Sequence, residues 1–230
     1  MLSVNLNTVR QEIAAALERS GRTGERVRLV AVTKTVGPKE IAAAAALGLQ
    51  DFGENRLQEA VPKLRQFPDL RWHFIGHLQS NKAGEVLAGF SLIHSLDRLS
   101  LARALQRRAE RQDLEAHCLL QLNISGEKSK SGLGEAELPD FLEALSDFPR
   151  IRVAGLMTIA PWCEDPEEVR PIFRRLRELQ QLHRRPGLAL SELSMGMTGD
   201  YIVAVEEGAT MVRIGSALFG ARPAAPQRKK

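Results

Sequence analysis

The chain has 230 residues, 43% hydrophobic and 26% charged, a globular composition whose length suits either two small domains or one barrel-sized domain. Lys and Arg number 32 against 28 Asp and Glu, a net charge of only +4, and no aromatic-interleaved basic stretch or nucleic-acid-binding motif accompanies it, which argues against a nucleic-acid partner. No apolar run approaches the roughly 20 residues that span a bilayer, and the N-terminus lacks the apolar centre of a secretory signal, so a cytoplasmic protein without membrane association is expected.

Residues 3–20, within MLSVNLNTVRQEIAAALERSGR, place apolar side chains at helical spacing and predict a first helix. VRLVAVTK (27–34) then reads as a strand ending on Lys34, and GPKEIAAAAALG (37–48) as a helix with Pro at its start and Gly at its end. LQDFGE, LRWHFIG and FSLIHSL are strand-like, and RLSLARALQRRAERQ is an amphipathic helix. AHCLLQLNIS and RVAGLMTIA follow as strands. DPEEVRPIFRRLRELQQLHRR opens on acids and closes on bases, matching the helix dipole, before LSELSMGM and MVRIGSALFG complete the series.

The strand-like segments recur about every 20 to 35 residues, the length of one strand-plus-helix unit. Eight such repeats predict a single α/β domain, a (β/α)8 TIM barrel, rather than an open doubly wound sheet. After the eighth strand no length remains for an eighth helix, only a tail, and the N-terminal helix is expected to cover that gap. The domain is therefore placed at residues 1–222, with 223–230 as a disordered basic tail.

In such a barrel the chemistry sits at the C-terminal ends of the strands. Those ends carry Lys34; Glu54 and Asn55; His77, Gln79 and Asn81; and Ser95 and Asp97 in the first half. The second half contributes NISGEKSKSG, MTIAP, SMGMTGD and RIGS. The stretches Ser194–Gly199 and Arg213–Ser216 are rich in Ser, Thr and Gly, which let backbone N–H groups approach an anion, and they lie where barrels of this kind hold phosphate. Arg213, inside a strand, is expected to meet a ligand atom or an acid, because a buried guanidinium needs a partner. An amine facing a phosphate cradle suits a ligand with both an aldehyde and a phosphate, either pyridoxal 5′-phosphate or the substrate of a sugar-phosphate aldolase.

Other residues read as scaffold. His73 and His77 span strand and loop, so no metal is assigned to them; His94 lies within the fourth strand, and His117 opens the fifth at the wrong end for chemistry. Cys118 and Cys163 read as structural thiols. The pairs Arg107–Arg108, Arg174–Arg175 and Arg184–Arg185 read as solvated helix faces.

AVTKT, FGENRLQEA, WHFIGHLQSNK, SLDR, NISGEKSKSGL, GLMTIAP, LSMGMTGD and ATMVRIGSALFGAR resemble, in order and spacing, the pyridoxal phosphate homeostasis protein family over roughly residues 4–222. The resemblance implies the barrel of the alanine racemase N-terminal domain, without that enzyme's second domain. It also implies pyridoxal phosphate held as a Schiff base on Lys34, its phosphate on Ser194, Gly215 and Ser216, and its pyridine nitrogen facing Arg213. Asn55 and Met195 join the cofactor-binding set, with Thr198, His77 and Lys130 as secondary positions. Thr198 stands where many members have Ser, and the TVGP stretch lacks a second lysine that many carry. Lys130 is a second exposed amine near the mouth, a candidate to receive or pass on the aldehyde.

The implied function is storage and delivery of the cofactor, with apo-enzymes as recipients, without turnover and in a monomer. A racemase would need an acid/base group on each face of the α-carbon. The single tyrosine, Tyr201, starts the helix after the seventh strand, and no second domain is present to close the site, which favours the carrier. A Schiff-base aldolase would have to draw on Glu54 or Asp97.

Overall fold

The computed structural model describes residues 1–127 and 130–220; the expected basic tail, and residues 221 and 222 of the expected domain, lie outside them. Eight parallel strands close into a barrel in sequence order, with the last paired to the first. They are β1 (Arg28–Val32), β2 (Asp51–Glu54), β3 (Arg71–Phe74), β4 (Leu92–Leu96), β5 (Ala116–Leu122), β6 (Ile151–Thr158), β7 (Glu192–Ser194) and β8 (Met211–Ile214). The helices are α1 (Leu2–Arg19), α2 (Pro38–Ala46), α3 (Leu57–Gln66), α4 (Ala83–Gly89), α5 (Leu99–Gln112), α6 (Leu138–Ala144), α7 (Arg170–His183), α8 (Tyr201–Glu206) and α9 (Ser216–Phe219). No helix among the described residues is long and apolar enough to cross a membrane.

Strands buried on both sides read as near-continuous apolar runs, which is why β5 and β8 were legible. Period-two alternation sorts their side chains. Phe52, Trp72, Phe74, Leu193, Val212 and Ile214 join the layer between sheet and helices. Leu92, Leu119, Met157 and Met211 form a separate apolar cluster, which we assign to the barrel interior.

The end of the barrel differs from the sequence expectation. MVRIGSALFG is not one element: the strand stops at Ile214 and a single helical turn, α9, starts at Ser216, so more than a tail follows β8. α1 packs against both α8 and α9, with Asn5 Nδ2 donating to Leu218 O at 2.9 Å and Arg19 pairing with Glu206 at 2.6 Å. The N-terminal helix therefore helps cover the gap, as expected, alongside α9.

The Arg174–Arg175 pair is not simply solvated. Arg174 joins Arg170 and Arg177 around the buried Glu207, at 3.0, 3.2 and 3.3 Å, tying α7 to the end of α8.

Candidate functional site

A cavity of about 670 Å³ opens at the C-terminal end of the strands. Its wall includes Lys34 after β1, Asn55 after β2 and His77 after β3, with Lys130 from the loop after β5 and Thr198, Arg213, Gly215 and Ser216 on the far side. Eight of the ten sequence-predicted positions thus surround one space. Lys34, Gly215 and Ser216 also border a smaller cavity of about 180 Å³.

The chain turns sharply at Lys34. Val36 N donates to Thr33 O at 2.9 Å, and Thr35 takes a left-handed φ of 64°, a conformation that costs a β-branched residue about 1–3 kcal/mol. Beneath the turn, Glu54 is fully buried and its Oε1 accepts from Thr33 Oγ1 at 2.6 Å and from Lys63 Nζ at 2.7 Å. Lys63 Nζ also donates to Thr33 O at 2.7 Å, so a buried ion pair braces the strand end that presents Lys34.

Across the cavity, Gly196 has φ 91°, and a Cβ there would come within 2.9 Å of Tyr201 Cα, so only glycine makes this turn. Met197 N donates to Asp200 Oδ1 at 2.5 Å, and burial raises the Asp200 pKa above the usual carboxylate range. Thr198 Oγ1 accepts from Ser216 Oγ at 3.2 Å and from Ala217 N at 3.4 Å, joining the loops after β7 and β8. At Gly199 an added Cβ would meet open space.

Arg213 is 4% exposed. It donates to Ser194 Oγ at 2.6 Å and to Thr158 O at 2.9 Å, both neutral. No carboxylate lies within ion-pair distance among the described residues, so of the two partners expected, a ligand atom or an acid, the ligand atom is left. Burial lowers its pKa to about 10 against the pull of Asp200. A buried cation without a counter-ion is costly, and this one stands on the cavity wall where an electron-rich ligand atom can meet it.

Ser194 and Met195 do not line the cavity. Parity explains both: Ser194 turns into the barrel, where it also meets His94 Nδ1 at 2.9 Å, and Met195 turns out into the apolar layer. Lys130 is not the exposed amine we expected, since its Nζ is buried, makes no hydrogen bond among the described residues, and lies 3.5 Å from the Glu127 carboxylate. His77 sits on the rim, half exposed, 3.8 Å from Asp97. Sequence reasoning missed Ile75, Gln121 and Trp162 as wall residues; no local signal marks them, because they follow only from how the strand ends converge. Cys118 is fully buried, and burial pushes its thiol up to about 12, consistent with an inert core residue.

The wall fits a pyridine–aldehyde phosphate ligand on its own terms. Asn55 Oδ1 is buried with no hydrogen-bond partner among the described residues, an acceptor awaiting a ligand hydroxyl. Arg213 has only neutral partners, and Gly199, Gly215 and Ser216 leave room for an anion.

Residues 4–223 match the family model described as alanine racemase, N-terminal domain. The pyridoxal phosphate homeostasis protein of Aquifex aeolicus is 45% identical over 220 residues, covering 94% of this chain and 96% of the relative. That of Escherichia coli K12 is 44% identical over 231 residues, covering 95% of each. Among solved structures, PipY of Synechococcus elongatus with pyridoxal phosphate bound superimposes with a TM-score of 0.82 at 37% identity, over 96% of this chain and 100% of that one. Alanine racemase from Corynebacterium glutamicum, at 22% identity and a TM-score of 0.68 over 98% of this chain and 64% of the enzyme, shares the fold. On matches that run nearly end to end in both directions, the chain belongs to the pyridoxal phosphate homeostasis protein family, built on the alanine racemase N-terminal-domain barrel.

Proposed function

We propose that the cavity holds pyridoxal 5′-phosphate, attached through Lys34, and that the protein stores the cofactor and delivers it to apo-enzymes without turnover of its own. The observation that carries this reading is Arg213, a buried cation with neutral partners only, set on a wall shared with an amine and a phosphate-sized cradle. When bound, the cofactor supplies a carbonyl that an amine can capture and a ring that can accept electron density. Thr198, Gly215 and Ser216 orient its phosphate, and Asn55 accepts from its ring hydroxyl. Arg213 keeps its own proton and donates towards the pyridine nitrogen, which leaves that nitrogen unprotonated and the ring a weak electron sink.

The racemase reading needs a second acid/base group facing the ligand. Tyr201 does not provide it: its hydroxyl binds the Glu12 carboxylate of α1, and burial with that carboxylate raises its pKa well above the ordinary phenol range. Adding pyridoxal phosphate to the purified protein is expected to produce a visible absorbance band, with no detectable interconversion of L- and D-alanine. A protein that stays colourless refutes cofactor binding, and turnover at enzyme-like rates refutes the carrier.

Lys130 we assign to release, as the second amine on the wall. Lys130→Ala is expected to keep the absorbance band and to slow cofactor transfer to an apo-enzyme several-fold. Transfer at the wild-type rate removes that role.

A further inference from the structure

A row of polar side chains crosses the barrel interior and ends on Arg213. From the N-terminal end, Arg71 Nε and Nη2 donate to the two oxygens of Asp51 at 2.9 and 2.7 Å. Asp51 Oδ1 lies 3.0 Å from His73 Nε2, His73 Nδ1 lies 2.9 Å from His94 Nε2, and His94 Nδ1 lies 2.9 Å from Ser194 Oγ. Ser194 Oγ then accepts from Arg213 Nη1 at 2.6 Å. Every member from Asp51 to Arg213 is buried. The sequence had placed His73 and His94 in the scaffold.

The donor directions follow from the partners. Arg213 can only donate, so the Ser194 hydroxyl hydrogen must go elsewhere, and its available acceptor among the described residues is His94 Nδ1. His94 then carries its proton on Nε2 and gives it to His73 Nδ1, and His73 carries its proton on Nε2 and gives it to Asp51. The reverse direction would strand the Ser194 hydrogen and set an unprotonated His73 Nε2 against a carboxylate. Burial, with the nearby charges of Arg213 and Arg28, pushes His94 well below its ordinary pKa and keeps it neutral. Although burial alone would raise it, Asp51 is held well below the usual carboxylate range by hydrogen bonds from Arg71 and His73. The row therefore ends on an anion.

We propose that His73 and His94 are positioning residues for Arg213, a relay that carries the charge of Asp51 through the barrel to the wall of the ligand cavity. Hydrogen bonds in series polarise one another, so Ser194 presents Arg213 with an oxygen enriched by three donations toward a carboxylate. The guanidinium is steadied without an acid beside it, and its outward face stays available to the ligand. The ligand's identity rests on the function proposed above; the relay itself does not.

Two measurements test it. In the ligand-free protein, long-range nitrogen–proton NMR of the imidazoles is expected to show both His73 and His94 as Nε2–H tautomers; an Nδ1–H or doubly protonated form of either overturns the assignment. The second uses Asp51→Asn, which removes the terminal charge, and His94→Asn, which keeps an acceptor for Ser194 but cuts the link to His73. Each is expected to shift the absorbance band of added pyridoxal phosphate and to speed its loss roughly tenfold, the scale of one lost buried hydrogen bond. A folded variant with the wild-type band and retention overturns the relay, and either variant alone suffices if the other does not fold. Lower thermal stability with an unchanged band would mark a purely structural row and equally overturns it. If the wild-type protein binds no pyridoxal phosphate, the proposed function fails, and the tautomer measurement still decides the relay.

Discussion

Lys34→Ala is expected to abolish covalent capture of pyridoxal phosphate. Borohydride reduction of the loaded wild-type protein, followed by digestion and mass spectrometry, should place one adduct on the peptide containing Lys34, and the variant should show none. Lys34 stands two residues past Val32, the last residue of β1, on the wall shared by the two cavities and by Gly215 and Ser216. The other amine on this cavity among the described residues, Lys130, has its Nζ buried and next to Glu127. Weak reversible binding should survive in Lys34→Ala, because Arg213, Asn55 and the Thr198–Ser216 cradle remain. An adduct of equal yield on Lys130 in the variant would refute the assignment of Lys34 as the attachment point.

The largest expected effect on stability comes from Lys63→Met. It leaves Glu54, fully buried, without the cation that meets its Oε1 at 2.7 Å, and the second oxygen, Oε2, already lacks a partner among the described residues. Removing one member of a buried pair costs about 3–5 kcal/mol, which for a chain of this length lowers the melting temperature by about 6–20 °C. The double variant Lys63→Met, Glu54→Leu should recover most of that loss, since apolar packing replaces a buried ion pair at little cost. Thermal denaturation of the three proteins checks both statements, and a single variant that melts with the wild type sinks them. The pair also explains why FGEN carries an acid at a strand end: Glu54 faces the helix layer and braces Thr33, and so is not available as a lyase base.

What the sequence made legible was local. Apolar runs separated by amphipathic stretches give the strand count, and the count gives the end of the barrel at which Lys34, Asn55 and Gly215 stand. Boundaries were harder, because Ile214-Gly215-Ser216-Ala217-Leu218 suits strand or helix equally well and only the fold breaks it at Gly215. Parity was invisible at Ser194, since whether its hydroxyl reaches the cavity depends on where β7 ends. The histidine row was beyond reach for a different reason. His73, His94 and Ser194 lie on β3, β4 and β7, and their meeting depends on register around the whole barrel. His94 and Ser194 are 100 residues apart, and no window of sequence contains both.

The packing of α1 has a consequence for the order in which the protein is made. Its partners are α8 and α9, and the contacts that seat it join residues 213 and 187 positions apart. At roughly 5–20 residues per second of synthesis, the first helix waits some 10–40 seconds for the chain that will cover it. Until then its apolar stripe of Leu6, Val9, Ile13 and Leu17 has no native partner in α8 or α9. α1 is made long before α8 and α9 and is among the last helices to dock, so closure of the barrel is a late step that waits until both have been translated.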